Sequence, residues 1–482
     1  MLASVGVALP LSYLLNIRFD EAFTLNTTSQ DLVYAFRQAI HFEQQAPLYF
    51  VLLTIWRAID PSIFFARLFS VVCLPLFVWV AAEAAKRYLK GTNPLFVAAI
   101  AAVHQQALWN ALDIRAYAMT ALLSAILLVL FHDGYMADRQ RSRSRILFTV
   151  VAVISLYTQY YLGFQLAAGA VALIATKRWR PLKRYVTDMA IAGLLFLPML
   201  VVIKGQVADV NSQIDAPLPL SEMTKAIYQR LVSLSISMEW LQLEFLKRWA
   251  IRAVAAGVFL LFAVKLIRRR LPEDVALASF IGVMTLLFFI TFAIVGAQGM
   301  QPRHMSSLIL PLTMLPFAAF AFFKDPKIRI GWCVLVVVLN IVAMAAAYAP
   351  FAKPGDFKRV AEYVMANEQP DQPVLVFHAD AVLPLRHYYH GMNTLIALPQ
   401  ENGFEEWNPR NNVLRDEAQV LDRINSQPGD PTGFWLVSDG WCAHGTLSFN
   451  CDVLESVVDK YFVVESTQNF LEPTTVRLLR RK

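Results

Sequence analysis

Long apolar stretches alternate along this chain with tight clusters of Lys and Arg. Several stretches approach or exceed the ~20 residues that a helix needs to cross the hydrocarbon core of a bilayer. A water-soluble domain has no interior large enough to bury so many helices that are apolar all round. The composition agrees: 57% of the 482 residues are hydrophobic, only 16% are charged, and the mean hydropathy is +0.47. Soluble domains carry about 25% charged residues. The chain therefore reads as a polytopic α-helical membrane protein.

Apolar length gives about eleven transmembrane helices, near 1–17, 62–85, 94–110, 114–131, 146–159, 162–176, 186–203, 249–267, 275–296, 305–323 and 330–349. The first run has no basic n-region, which argues against a secretory leader. The apolar segment 46–60, closed by Asp60-Pro61, is too short to cross and reads as interfacial or re-entrant. Charge placement tests this. With the N-terminus in the cytoplasm, five basic clusters all fall on the cytoplasmic side, together carrying 18 Lys and Arg. They begin at Lys86, Arg139, Lys177, Arg268 and Lys324. With the same N-terminus, counting 46–60 as a full span would send these clusters outside, against the positive-inside rule. The net charge of +7 is thus accounted for by membrane sidedness, not by nucleic acid.

The same alternation puts the loop 18–61, the loop 205–247 and the tail after residue 350 on the non-cytoplasmic face. Two domains follow: a transmembrane domain over 1–349 and a soluble α/β domain over 350–482. In the tail, helical periodicity over 355–367, 380–390 and 413–426 alternates with strand-like runs at 373–377, 394–397, 434–437, 461–465 and 475–479. Cys442 and Cys451 lie in this polar region, and an oxidising compartment would join them as a disulfide. Cys73 and Cys333 lie in apolar runs.

The candidate chemistry gathers on the non-cytoplasmic side. Asp20 and Glu21 follow the first apolar run, and Glu43 precedes Pro47-Leu48-Tyr49. Carboxylates at a membrane boundary face water, protein or a cation, and such acids suit general-base work. Arg115, in Asp113-Ile114-Arg115-Ala116-Tyr117, and Arg303-His304 supply positive charge where it is otherwise sparse. Arg offers a phosphate bidentate hydrogen bonds. Weaker candidates are His104, the tyrosines Tyr157, Tyr160 and Tyr161, the acids Glu239 and Glu244, and the tail run His387-Tyr388-Tyr389-His390, which reads as packing.

In order and sidedness these pieces resemble the GT-C membrane glycosyltransferases. Within them the likeness is to bacterial relatives of the dolichyl-phosphate-mannose–protein mannosyltransferases and of the lipid A aminoarabinose and galacturonic acid transferases. The matching pieces are Asp20-Glu21, Glu43 to Tyr49, Ala66-Arg67-Leu68-Phe69-Ser70, Arg115-Ala116-Tyr117-Ala118, Tyr157-Thr158-Gln159-Tyr160 and Arg303-His304. The resemblance implies a sugar donor on a polyprenyl phosphate, inverting transfer, and an envelope glycolipid, glycan or protein as acceptor. It also implies a bacterial inner-membrane location. Asp20, Glu21 and Glu43 would be the catalytic acids. Arg303, His304, Arg115, Tyr49 and Arg67 would bind substrate. A divalent cation, if one is used, would sit at Asp20 and Glu21. Many relatives have His-Pro where Gln45-Ala46 stands here, and often His where Gln159 stands. Two other classes compete: a transporter or flippase of lipid-linked saccharide, and a noncatalytic assembly scaffold. Transporters favour midplane sites and repeats, whereas here the acids cluster at one face and no repeat is visible.

Overall fold

A computed structural model of the chain describes residues 2–482 apart from 213–218, 236–243, 296–300, 322, 324, 350, 428–430, 432, 445–446 and 472. The chain forms two compact units. A helical unit comprises Met1–Tyr13, Gln45–Ala208 and Pro217–Ala349; an α/β unit comprises Leu14–Gln44, Asp209–Ala216 and Pro350–Lys482. The acid-bearing segment after the first apolar run thus clusters with the tail, not with the helices that flank it in sequence.

In the helical unit, five described helices are long and apolar enough to cross a bilayer: Ile63–Tyr88, Tyr117–Met136, Trp179–Val207, Pro272–Ile294 and Pro326–Tyr348. Pro94–Val103 and Gln105–Leu112, bent by 50° at their break, make a sixth if taken as one span. The count is lower than the expected eleven because other apolar runs form short helices. Leu162–Ala175 has 14 residues and Ile309–Phe320 has 12, while the segment expected to be interfacial forms the 10-residue helix Leu48–Arg57. The expected loop 205–247 is largely helical where described. One helix continues from Trp179 to Ser212, its 34 residues spanning about 50 Å, and a second covers Leu220–Ser235.

Local chemistry sets the helix starts. Ser62 and Asn93 cap their helices, the latter with Pro94 in the first turn. Lys86 and Arg87 close Ile63–Tyr88, where the helix dipole favours cations. The basic ends are fastened by charge pairs: Arg87 meets Asp133 at 2.8 and 2.9 Å, and Arg145 meets Asp188 at 3.0 Å through two nitrogens. Beside the second pair, Phe131, Tyr135, Phe148, Tyr185 and Phe280 form an edge-to-face cluster. Gly169 admits Tyr185 to it: a Cβ there would stand 2.7 Å from the Tyr185 hydroxyl oxygen, which donates to the Leu166 carbonyl.

The α/β unit is built on a five-stranded sheet of order β2-β1-β3-β7-β6. Its strands are β1 (Val374–Phe377), β2 (Leu395–Leu398), β3 (Gly433–Ser438), β6 (Phe462–Asn469) and β7 (Thr475–Arg481). A separate hairpin joins β4 (Ala443–His444) and β5 (Leu447–Ser448). β2, β1 and β3 run parallel; β7 and β6 are antiparallel. The run Val-Leu-Val-Phe of β1 is fully buried because both faces are covered. Val374 and Val376 pack beneath the helix Phe357–Asn367, whereas Leu375 and Phe377 face the cluster of Val420, Ile424, Leu454 and Val457. Cys442 and Cys451 are joined by an S–S bond across the mouth of the hairpin. The helix Cys451–Tyr461 had no counterpart in the sequence reading.

Replacing Gly169 by Ala is expected to lower the stability of the full-length protein by about 1–3 kcal/mol, the usual cost of overpacking. Thermal unfolding in detergent measures this. A variant as stable as the wild type contradicts the close approach of Tyr185.

Candidate functional site

The expected catalytic acids all lie in the α/β unit. Asp20 and Glu21 occupy the first turn of the helix Phe19–Thr27, where the dipole favours negative charge. Asp20 is half-buried. Glu21 is 1% exposed. Its Oε2 accepts from Lys353 Nζ at 2.8 Å and from the Arg18 N–H at 3.1 Å. Lys353 is itself fully buried. Glu43 is held against the far end of the same helix, accepting from the hydroxyls of Thr27 at 3.2 Å and Thr24 at 3.4 Å. The structure therefore brings the three acids onto one short helix and its flank. Asp20 sits at its entrance, Glu21 inward on a lysine, and Glu43 on two threonines.

A second titratable group accompanies them that the sequence reading missed. His378 follows β1 directly and Asp439 follows β3, and the Asp439 N–H donates to the Phe377 carbonyl at 3.2 Å. His378 Nε2 lies 3.1 Å from Asp439 Oδ2, and its Nδ1 lies 3.9 Å from Asp380 Oδ2. Asp380 is held by the amides of Asn402 at 2.6 Å and Asn412 at 2.9 Å. Burial acts to lower the His378 pKa, but the nearby carboxylates of Asp439 and Asp380 raise it above the ordinary value. The His378 ring stands 5.2 Å from that of Phe19, the residue before Asp20. Asp20 and Asp380 are both near enough to His444 for their charges to act on its imidazole. Loops leave the ends of β1 and β3 towards opposite faces of the sheet, and ligand-facing residues of open α/β sheets gather at such points. That rule was the available signal for His378 and Asp439. Among the described residues no group of three His, Cys, Asp or Glu converges as metal ligands.

The expected substrate-binding cations lie in the helical unit. Arg303 and His304 open the 3-10 segment Pro302–Leu308 and are half-buried. This segment is pinned from below: Asn110 Nδ2 donates to Ser306 Oγ at 2.8 Å, and Ser124 Oγ donates to the Ser307 carbonyl at 2.8 Å. The Arg303 guanidinium lies 5.5 Å from the centre of the Tyr117 ring, a cation–π contact, and the His304 ring packs on Tyr117 and Tyr161. Arg303 and His304 thus meet the turn that carries Arg115, which is 6% exposed.

Tyr49 and Arg67 also lie in the helical unit. Both are fully buried. Tyr49 packs on Phe50 and Phe69 with its hydroxyl 3.4 Å from Ser70 Oγ, and Arg67 Nη1 donates to the Ser12 carbonyl at 2.7 Å. They hold helices together in this state. His104 stands at the break between Pro94–Val103 and Gln105–Leu112. Its Nδ1 accepts from the Ala107 N–H, and its Nε2 meets the Leu234 carbonyl at 2.8 Å. Its work is structural. Tyr388 accepts from the Ile17 N–H at 2.8 Å. Glu239 lies outside the described residues.

Because its folded pKa is raised, His378 contributes stability that is full below the ordinary histidine pKa of about 6.5 and is lost as pH rises through the folded value. Thermal unfolding of full-length protein should therefore show His378→Gln most destabilised near pH 6. The gap, about 2–4 °C per kcal/mol, should close towards pH 9. A gap that widens with rising pH contradicts the assignment.

No protein-family model matches the chain, and no curated protein matches it in sequence. Solved structures do. ArnT from Cupriavidus metallidurans in the apo state superposes with a TM-score of 0.60 at 12% identity, over 98% of this chain and 97% of that one. The same protein bound to undecaprenyl phosphate gives 0.58 at 12% identity over the same shares. The Archaeoglobus fulgidus oligosaccharyltransferase, tethered to an acceptor peptide containing the NVT sequon, gives 0.50 at 12% identity, over 91% of this chain and 68% of that chain. The chain thus has, over nearly its whole length, the fold of ArnT, and over 91% of its length that of the oligosaccharyltransferase.

Proposed function

We propose that this protein is a glycosyltransferase of the non-cytoplasmic membrane face, moving a sugar from a polyprenyl-phosphate donor to an envelope glycolipid, glycan or protein with inversion. The observation that carries the reading is the likeness along nearly the whole chain to ArnT, including its form bound to undecaprenyl phosphate. Arg303 and His304 at the Arg115–Tyr117 turn support it, as hydrogen-bonding groups suited to the donor's phosphodiester and to the monoester that leaves.

In the reaction, an acceptor hydroxyl attacks the anomeric carbon from the side opposite the phosphate, and the bond between that carbon and the phosphate oxygen breaks. The acceptor proton passes to the Asp20 carboxylate. Polyprenyl monophosphate leaves, and Arg303, with Arg115 and His304, stabilises the charge that grows on its oxygens. Glu21 and Glu43 hold the helix that carries Asp20, through Lys353 and through Thr24 and Thr27. The placement of basic clusters supports a cytoplasmic N-terminus, about eleven crossings with short or bent helices included, and a non-cytoplasmic α/β unit.

Purified protein supplied with polyprenyl-phosphate sugars and acceptor membranes tests the chemistry. Asp20→Asn should lower kcat by about 10²–10⁴, and Arg303→Ala by about 10²–10³, with expression and melting temperature retained. Wild-type turnover in Asp20→Asn removes the base. For sidedness, unreduced peptide mapping of protein from intact cells should recover Cys442 linked to Cys451. Two free thiols, or an external signal from a reporter fused at residue 140, contradict the orientation.

A further inference from the structure

The residues on either side of Asp20 are each fastened by a group far away in sequence. Lys353 N–H donates to Asn16 Oδ1 at 2.7 Å. The Ile17 N–H donates to the Tyr388 hydroxyl at 2.8 Å. The Phe19 ring lies between Phe357 and His378, at 5.4 and 5.2 Å. Glu21 ends on Lys353 Nζ at 2.8 Å, with both side chains essentially without solvent exposure. All four anchors belong to the α/β unit, and Phe19 packs against the core formed by β1, β3 and the helix Phe357–Asn367. A surface loop that merely passed by would show no such run of side-chain grips over residues 16–21.

The grip at Phe19 has its own support. His378 Nε2 lies 3.1 Å from Asp439 Oδ2, and its ring is closed in by Phe19 and Phe449. The charged and titratable groups that act on it are Asp439 and Asp380; His444 is near enough to feel its charge, and Asp20, on the gripped helix, acts on His444. The imidazole lies between the Asp439 and Asp380 carboxylates, and its ring forms one wall of the place where Phe19 rests.

We propose that the α/β unit is part of the catalytic apparatus, with Lys353 acting through Glu21 and His378 acting through Phe19 as positioning residues that fix Asp20. This rests on the reading of Asp20 as the base, and it adds two residues that belong to no acid or phosphate-binding motif in the chain. The rationale is geometric. A misplacement of about 1 Å at a reacting group can cost on the order of 10²-fold in rate, and the short helix Phe19–Thr27 could not hold its own position.

The test uses full-length protein in detergent, with hydrogen–deuterium exchange of peptides spanning residues 15–28 and sugar transfer from a polyprenyl-phosphate donor. The variants are Lys353→Met, Lys353→Arg, His378→Gln and Asp20→Asn, with the helix Ile63–Tyr88 as internal control. Lys353→Met and His378→Gln should speed exchange in 15–28 by about tenfold or more and leave the control unchanged. Their kcat should fall at least about tenfold while the donor KM stays within about twofold, and Lys353→Arg should recover part of the loss. Unchanged exchange overturns the proposal, as does a loosened helix with wild-type kcat or a rise in KM alone. Should Lys353→Met fail to fold, His378→Gln decides. Asp20→Asn reports on the base by itself. Wild-type turnover there removes that reading and the catalytic half of this proposal, while the exchange result still judges the grip.

Discussion

The Lys353–Glu21 pair is the interaction on which the rest of the candidate site depends. It links residues 332 apart in sequence and buries both charges. Desolvating two ions costs several kcal/mol each, and their attraction repays this only when the geometry is good and the remaining valences are filled. Here Glu21 also accepts from the Arg18 N–H, and the Lys353 backbone binds Asn16. Such a pair adds little net stability compared with a well-packed apolar pair. Loss of one partner, by contrast, strands a buried charge at about 3–5 kcal/mol. What the pair supplies is a fixed position: the helix entering after the first apolar run has one place to sit in the α/β unit.

The helical unit solves a related problem with different means. Its cations are held by aromatic rings and by short hydrogen bonds between helices. Arg303 and His304 lie on Tyr117, while Asn110 and Ser124 hold the 3-10 segment that carries them. A group that must receive a phosphate needs its hydrogen-bond donors aimed before the ligand arrives, since preorganised donors need no rearrangement as charge develops. The charge pairs at the basic ends, Arg87–Asp133 and Arg145–Asp188, serve a different purpose. They close helix ends that would otherwise leave cations and carbonyls to the interface.

Much of this was legible in the sequence because membranes make strong demands. Apolar length and Lys/Arg placement are enforced by the bilayer, so the helical character and the helix borders at Ser62, Asn93 and Lys86-Arg87 could be read directly. Strand runs such as Val374–Phe377 and Gly433–Ser438 were visible because both faces of the sheet are buried. The count of spans was not, because apolar composition does not distinguish a 26-residue helix such as Ile63–Tyr88 from the bent pair around His104. The partition of the chain was also hidden. Leu14–Gln44 joins the tail through Asn16, Ile17, Phe19 and Glu21, contacts made with residues more than 300 positions away. Lys353 and His378 carry no motif, and only their surroundings give them a role. Tyr49 and Arg67 matched a family pattern, yet here they lie fully buried.

The central claim is that a polyprenyl-phosphate sugar is consumed and its sugar delivered to the envelope. Mass spectrometry of the lipid and envelope glycan pools in a deletion strain, complemented with either wild-type protein or Asp20→Asn, tests it most directly. The account predicts that one polyprenyl-phosphate sugar accumulates and one envelope sugar disappears in the deletion strain. Wild-type protein should reverse both changes and Asp20→Asn neither. Unchanged donor and glycan pools in the deletion strain, or full restoration by Asp20→Asn, would contradict it.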